Sequence, residues 1–386
     1  MKKLIAIFAV LLLAAPAFAA DWAFYGSQRM ATFYVADDYG DFPVNGEEDD
    51  WGLQWNFQTN SRLGAKVKAD KVNGHIELGL KGTDGGDLDV GTRRAYGTWK
   101  FSDNASLKVG KDYSPVTRFL SGQVFGEDAG LLGLGDFYGR RPGQIGLSIG
   151  SFDIAFMTNA LNTSGYTITT INNGVPTTIS APGVAPTGSD LDNNFPKVEA
   201  SWMLKFGSFD IRPFGGFQYF KVASTDTTEA NNTLVDDLDV YSYVVGIDSM
   251  LNIGAFYIGG QVAYGMNWGN ANWSGPLVGG SAGSFALLDG NDDVKDTTTY
   301  SAMLVTGLKF TDTLTFEVGG GYLANDPDVD DVDKDECWTI YGQAVITMAP
   351  GVFLIPEAGY LDKMDNFAGE DEGYQWYAGA KWQIDF

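Results

Sequence analysis

The sequence is poor in the residues that carry most enzyme chemistry. Its 386 residues include one cysteine, Cys337, and one histidine, His75. A lone cysteine cannot build an internal disulfide framework. A Ser-His or Asp-His hydrolase needs a histidine base near its active surface, whereas His75 lies on a hairpin arm beside a short turn and suits a polar lining or turn role. We therefore do not expect an enzyme.

Long apolar runs are absent beyond the N-terminal residues. Lys2 and Lys3 precede an apolar run over 4–15, and Ala17-Phe18-Ala19 is typical of a small-x-small cleavage site. This pattern predicts a signal peptide over 1–19 and a folded domain over 20–386. The alternative, an uncleaved anchor, is disfavoured because the run is short for a spanning helix. Without a second long run, the sequence excludes a helical membrane protein.

Basic residues are scarce. Lys and Arg number 25 against 49 Asp and Glu, which gives a formal net charge of −24. A field of that sign excludes nucleic acid as a partner, since nucleic-acid binding depends on cations that neutralise phosphates. Aromatic residues and glycine, by contrast, are plentiful, at 14% aromatics and 50 glycines. A transmembrane β-barrel requires that mixture of apolar outward positions, aromatic girdles and glycine bends.

A period of two residues recurs along the chain and indicates β-strands. The last strand shows it best: Trp376, Trp382 and Phe386 share one face, while Lys381 and Gln383 share the other. A soluble sandwich would also show such alternation. We count sixteen segments of this kind, at 22–35, 53–69, 72–82, 90–101, 105–113, 143–150, 151–159, 195–206, 208–223, 239–250, 253–268, 299–310, 313–324, 337–348, 351–362 and 373–386.

The connections between these segments alternate between short and long along the whole chain. Outer-membrane barrels have this asymmetry, with short periplasmic turns and long extracellular loops, and an even strand number. A soluble sandwich has no reason to keep it. The sequence thus predicts an all-β fold, a 16-stranded antiparallel transmembrane β-barrel exported to the outer membrane of a Gram-negative bacterium.

Seven of the eight arginines precede residue 142. Consecutive barrel strands are neighbours, so this clustering predicts one basic side of the lumen. Arg29, Arg62, Arg94 and Lys66 have the parity opposite to their apolar neighbours, which favours a lumen position. Arg93 has the parity of apolar residues, and a position snorkelling toward an interface is one interpretation.

The third long connection, 114–142, is apolar and rich in glycine, unlike the acidic loops around it. A loop folded inward against the barrel wall explains that composition, and a surface loop at a subunit contact is the alternative. Its acids Glu127, Asp128 and Asp136, facing the arginines, would create a transverse field across a constriction. Arg140 and Arg141 follow the loop and complete the predicted lumen set.

The seventh long loop is strongly acidic over 326–336. Its carboxylates are ligands that hard cations prefer, although the glycine and spacing of an EF-hand are missing. A solvated acidic loop is the favoured interpretation. The weaker hypothesis is a calcium site formed by Asp328, Asp330, Asp331, Asp333 and Asp335. No other cofactor is predicted.

Several short motifs in order resemble the general bacterial porins. They are Phe24-Tyr25-Gly26-Ser27 with Arg29, the segment 109–115 before the third loop, Arg140-Arg141 after it, and terminal Phe386. The sequence is most similar to homotrimeric porins of sulfate-reducing delta-proteobacteria. The resemblance implies a homotrimer packed through the early strands in outer-membrane lipid. It also implies passive diffusion of small hydrophilic solutes, and recognition of the last strand by the barrel-assembly machinery.

The expected function is a water-filled diffusion channel. The alternatives are a substrate-specific channel for anions or sugars, and a closed adhesin or structural barrel, which sixteen strands disfavour because barrels of that size leave an aqueous lumen. The acidic loops favour cations and the arginines favour anions. Because the total charge is strongly negative, we expect cation preference or weak selectivity.

Overall fold

The computed structural model describes residues 20–42, 48–81, 89–164, 166–172, 175–181, 184, 190–223, 237–273, 284–288, 293–329 and 332–386. The predicted signal peptide lies outside these residues. One sheet runs around the described chain in sixteen antiparallel barrel strands. They are β1 Asp21–Asp38, β2 in the segments Asp49–Phe57 and Ser61–Lys68, β3 Val72–Lys81, β4 Asp89–Ser102, β5 Ala105–Lys111, β6 Gly143–Ile149, β7 Phe152–Met157, β8 in the segments Lys197–Trp202 and Leu204–Phe206, β9 Phe209–Val222, β10 Leu238–Ile253, β11 Phe256–Met266, β12 Thr297–Lys309, β13 Leu314–Pro327, β14 Asp335–Ala349, β15 Val352–Asp362 and β16 Tyr374–Asp385.

The sheet closes on itself. Strand β1 pairs with β16 from Ser27 opposite Asp385 to Asp37 opposite Gln375, and every other strand pairs with its chain neighbours. The backbone of Phe386 also exchanges two hydrogen bonds with that of Gly26. Closure leaves no sheet edge unpaired, as strands surrounded by lipid require. The predicted 16-stranded antiparallel barrel is confirmed.

Alternation separates an apolar outer belt from an inner face. On β16, Trp376 and Trp382 are 45% and 52% exposed, whereas Tyr377 and Lys381 between them are 2% and 5% exposed. The same pattern holds on β10, where Val245 is exposed and Val244 buried. These exposed belt side chains are large and apolar, so they form a surface suited to an apolar surrounding.

Short turns and long connections alternate as predicted. The turn between β6 and β7 spans 150–151 and that between β8 and β9 spans 207–208, whereas the connection between β5 and β6 spans 112–142. The loop between β7 and β8 contains a two-stranded hairpin, Tyr166–Asn172 with Val175–Ala181. Among the described residues, no helix is long and apolar enough to cross a membrane.

Strand β2 is interrupted where a continuous strand was predicted. Met30 pairs with Phe57 and Ser27 with Arg62, so four residues, 58–61, face the two residues between Ser27 and Met30. Because of this irregularity, residues 58–60 lie outside the regular strand pairing, and the side chains of Gln58 and Asn60 are buried. A bulge that re-aims side chains in this way is common next to functional sites.

Candidate functional site

The connection between β5 and β6, residues 112–142 and here called loop 3, lies against strands far away in sequence. A Cβ atom at Gly321 of β13 would overlap the carbonyl oxygen of Leu134, and one at Gly135 would overlap that of Ala302 on β12. Gly135 also has a φ of 126°, which L side chains rarely adopt. Glycine at both positions therefore lets the loop backbone touch the sheet backbone directly.

The tip of loop 3 is anchored by two carboxylates on the inner face of the sheet. Glu357 of β15 accepts hydrogen bonds from the backbone N–H groups of Val124 and Phe125 at 2.6 and 3.0 Å. Glu317 of β13 accepts one from Gly122 N–H at 2.8 Å. The Phe125 ring stacks on Tyr377 of β16, with centroids 3.8 Å apart. These buried donors would otherwise lack partners, so the carboxylates determine where the tip lies.

The two acids at the tip of loop 3 have different partners, because Asp128 is paired with cations and Glu127 is hydrogen-bonded to a neutral residue. Asp128 forms ion pairs with Arg29 of β1 and with Lys381 of β16, the latter at 2.8 Å. Glu127 is exposed and accepts hydrogen bonds from the backbone and hydroxyl of Thr59. The irregularity in β2 thus supplies the groups that hold this side of the tip. The irregularity in β2 could not be predicted from the sequence, because a period-two pattern does not show a break within a strand.

The other side of loop 3 is held by an arginine pair. Arg118 of the loop bonds Asp210 and Asp248, at 2.7 and 2.8 Å. Arg212 of β9 bonds Asp248 at 2.6 Å and donates to the carbonyl oxygens of Pro115 and Val116. The two aspartates raise the pKa of Arg118 against the opposing effect of burial. Its charge is therefore matched and fixed in place.

A second segment, 267–273, packs on loop 3. Trp268 and Trp273 are fully buried in a cluster with Phe137 of loop 3 and Phe214 of β9. Phe137 and Trp268 meet edge to face, with centroids 4.8 Å apart. The Trp273 indole N–H donates to the buried carboxylate of Glu199 at 2.7 Å. The inner face near β9 is therefore covered by an apolar core. This core was not predicted from the sequence, although two tryptophans within seven residues indicate a buried segment.

The inner face of β2 to β6 is instead charged. Glu77 of β3 accepts from Arg93 at 2.9 Å and lies 3.7 Å from Arg62. Asp112 at the end of β5 pairs with Arg94 at 2.7 Å and Lys108 at 2.6 Å. Arg62 and Arg94 lie on the same face as Glu77 and Asp112, and their lumen role stays a prediction. We call this surface the basic arc, formed by Arg62, Lys66, Arg93, Arg94, Lys108 and Arg141.

Arg93 does not snorkel to an interface. Its register differs from the expectation because a β-bulge follows Glu77, which pairs with Arg94, while Leu78 pairs with Thr92. The extra residue brings Arg93 and Arg94 to the same side of the sheet. The Arg93 guanidinium accordingly contacts Glu77 and the Tyr113 hydroxyl.

Several cations of this region have no carboxylate partner. Within the described ranges, none lies within 4 Å of Lys66, Arg140 or Arg141. The Lys66 ammonium lies 5.3 Å from the Tyr25 ring centroid, and Arg141 lies 5.2 Å from that of Tyr113. Arg140 has a φ of 64° and donates to the carbonyl oxygen of Asn272. Positive charge in the basic arc therefore exceeds nearby negative charge.

Asp136 does not face the arginines as predicted. It is 1% exposed and is buried within loop 3, next to Phe137 of the apolar cluster. Burial raises its pKa well above the ordinary value, because the charged form is desolvated. An irregular loop has no periodicity from which the direction of this side chain could be predicted.

The seventh long loop gives no metal site among the described residues, where no group of three or more possible ligands is found. Asp330 and Asp331 of the calcium hypothesis lie outside the described residues. Asp335 is buried at the start of β14, and the backbone N–H of Asp333 donates to the carbonyl oxygen of Phe367. Calcium binding stays a prediction, and calorimetric titration showing no heat at low millimolar calcium would remove it.

His75 lies on the inner face of β3. Its Nε2 atom is 2.7 Å from the Tyr25 hydroxyl, which also donates to Glu77 at 2.7 Å. The ring is 5% exposed. The histidine thus belongs to a satisfied polar network beside the basic arc.

The fold of the chain is similar to that of known outer-membrane channels. The outer membrane channel DcaP of Acinetobacter baumannii has a TM-score of 0.68 and 16% identity, covering 96% of this chain and 99% of that chain. An anion-selective porin from Comamonas acidovorans gives 0.56 and 15%, covering 95% and 100%. OmpF of Salmonella typhi, in complex with daunomycin, gives 0.52 and 13%, covering 94% and 97%. These similarities show the fold. No family model and no curated protein matches the sequence.

Proposed function

We propose that the chain is a porin of the Gram-negative outer membrane, a water-filled channel through which small hydrophilic solutes and ions diffuse passively. The observation that carries this proposal is the closed sixteen-stranded barrel with an apolar outer belt and a charged inner face. A barrel of this size has room for water unless its interior is filled. The charged inner face would have no reason to exist in a barrel filled with apolar side chains.

Loop 3 folds into the lumen and forms its constriction. Supporting this step, its backbone and side chains bond to inner-face groups on strands around the barrel, among them Glu317, Glu357, Lys381 and Arg29. A surface loop at a subunit contact would not reach those groups. With loop 3 against β9 to β16, the open path lies beside the basic arc.

The channel prefers anions at its constriction, which departs from the expectation of cation preference. Lys66, Arg140 and Arg141 lack carboxylate partners in the described chain, whereas Asp128 is paired twice and Asp136 is buried. The acidic outer loops act over only about 8 Å at physiological salt, so charges at contact distance dominate selection. The anion-selective Comamonas porin shares the fold. A sugar-specific channel is less supported, because a sugar offers no charge to match these cations.

The native assembly is a homotrimer, inserted by the barrel-assembly machinery after removal of residues 1–19. These statements rest on the resemblance to trimeric porins of sulfate-reducing delta-proteobacteria and on the terminal aromatic strand. Analytical ultracentrifugation of the purified protein in detergent tests the assembly. A monomer that still conducts would contradict the trimer and leave the channel proposal standing.

Planar-bilayer recording tests the channel itself. Purified protein should produce stepwise, ohmic conductance in KCl, and liposomes containing it should swell in solutions of small sugars. Heat-unfolded protein at the same concentration is the control. A folded protein that gives neither current nor swelling would contradict the proposed function and favour a closed structural barrel.

A further inference from the structure

An exposed aromatic ring lies on loop 3 in the middle of the basic residues. Phe119 is 49% exposed, although most apolar side chains of loop 3 are buried. It meets Tyr113 edge to face at 5.1 Å and lies 6.2 Å from Tyr138, with the two tyrosine rings 6.5 Å apart. A solvated ring inside a polar lumen costs free energy, and nothing in the anchoring of loop 3 requires it.

Four arginines surround these three rings. Arg94 and Arg141 lie 5.3 and 5.2 Å from the Tyr113 centroid. Arg93 donates to the Tyr113 hydroxyl at 3.3 Å, and Arg140 lies 5.9 Å from the Tyr138 centroid. Arg93 and Arg94 are matched by Glu77 and Asp112. Arg140 and Arg141 have no carboxylate within 4 Å in the described chain, so their charge is available to an incoming anion.

The rings also lie where two cavities adjoin. Tyr138, Arg140 and Arg141 line a cavity of about 400 Å³ on the long-loop side. Tyr113 and Arg94 line one of about 390 Å³ that extends toward the short turn between β6 and β7. Tyr113 and Tyr138, whose ring centroids are 6.5 Å apart, therefore bring the aromatic cluster to the edge of both cavities.

We propose that Phe119, Tyr113 and Tyr138, together with Arg140 and Arg141, form a low-affinity binding site for aromatic carboxylates within the channel. The ligand ring lies on the exposed face of Phe119, and its carboxylate is met by Arg140 and Arg141. Ring contacts add to the apolar contribution, and guanidinium groups bind carboxylates through two parallel hydrogen bonds. This inference rests on the proposed channel function and specifies one solute class for it.

The test compares three anions as blockers of KCl current through the reconstituted protein. Benzoate, cyclohexanecarboxylate and acetate carry the same charge, and the first two are similar in size. Benzoate should halve the current at the lowest concentration, with cyclohexanecarboxylate requiring about two- to tenfold more. Phe119→Leu should remove that difference, with blocking in each protein expressed as a fraction of its own KCl current without blocker. Equal blocking by benzoate and cyclohexanecarboxylate in the wild type would overturn the proposal.

Two further variants separate the parts of the site. Arg141→Gln should weaken blocking by benzoate and cyclohexanecarboxylate alike, because it removes one of the two arginines that meet the carboxylate and keeps the aromatic rings. Phe156→Leu, which changes an equally exposed ring on the outer face of β7, is the matched control and should leave the benzoate preference intact. Loss of the preference in this control as well would assign the effect to a general change in the barrel and overturn the site.

Binding is also measured without conduction. Saturation-transfer NMR of benzoate with the detergent-solubilised protein should show ring-proton saturation that Phe119→Leu reduces and Phe156→Leu does not. Saturation in a protein that carries no current would support the site and contradict the channel. Current without any benzoate preference or saturation would contradict the site alone.

Discussion

The two halves of the barrel wall have similar outer faces and different inner faces. From β9 to β16 the inner face carries apolar groups such as Phe214 and Val244 together with buried carboxylates that bond loop 3, such as Glu317 and Glu357, and loop 3 and the segment 267–273 pack on it. From β2 to β6 it carries the basic arc with Glu77 and Asp112. The alternation of outward and inward side chains is therefore common to both halves of the barrel. The side chains at the inward positions determine whether a half packs against loop 3 or lines the proposed open path.

The largest effect is expected from releasing loop 3 from the packed half. Glu357→Ala removes the acceptor for two buried backbone N–H groups, and each unsatisfied donor costs about 1–3 kcal/mol. The tip should detach, so single-channel conductance should rise and larger sugars should enter liposomes. Glu357→Gln, which keeps one acceptor oxygen for the two N–H groups, should give a smaller increase than Glu357→Ala. Wild-type conductance and exclusion size in Glu357→Ala would show that loop 3 does not form the constriction.

A smaller effect is expected from removing charge in the passage half. Arg141→Gln deletes a cation that has no carboxylate partner within the described chain, so the anion preference should fall while conductance changes little. Reversal potentials in a KCl gradient measure the anion preference. Lys309→Gln is the control, because Lys309 is exposed at a short turn and paired with Asp312. If both substitutions shift selectivity equally, the selecting charges do not lie in the basic arc.

The opposite shift is expected at the tip of loop 3. Asp128→Asn leaves Arg29 and Lys381 without their carboxylate, so the constriction becomes more positive and anion preference should rise modestly. The same reversal-potential measurement applies. A shift toward cations in this variant would contradict the assignment of Asp128 to the lumen boundary.

The smallest effect is expected at Asp136. Because Asp136 is 1% exposed and lies away from the open path, Asp136→Asn should leave selectivity unchanged, while burial raises the pKa of its carboxyl. The fold favours the protonated form, so this group's contribution to stability is lost as pH rises through its folded-state pKa. The melting temperature of the wild type should therefore fall as pH rises above the ordinary carboxyl pKa. That of Asp136→Asn should fall less over the same range. A selectivity change as large as that of Arg141→Gln would show that the Asp136 carboxylate faces the lumen.

The barrel could be predicted because its pattern is periodic. Alternation in β16, the even strand number and the short and long connections all follow from residue spacing. Arg62 and Arg94 could be placed from parity. Arg93 could not, because a single-residue bulge reverses parity. Asp136 and the segment 267–273 lie in irregular backbone, where direction depends on tertiary packing.

The sign of the reversal potential in a KCl gradient tests the central claim most directly. If solutes pass beside the basic arc, chloride crosses more readily than potassium and the dilute side becomes negative relative to the concentrated side. The dilute side becoming positive in wild-type protein would mean that the acidic loops select the ions. That result would contradict a passage lined by uncompensated cations.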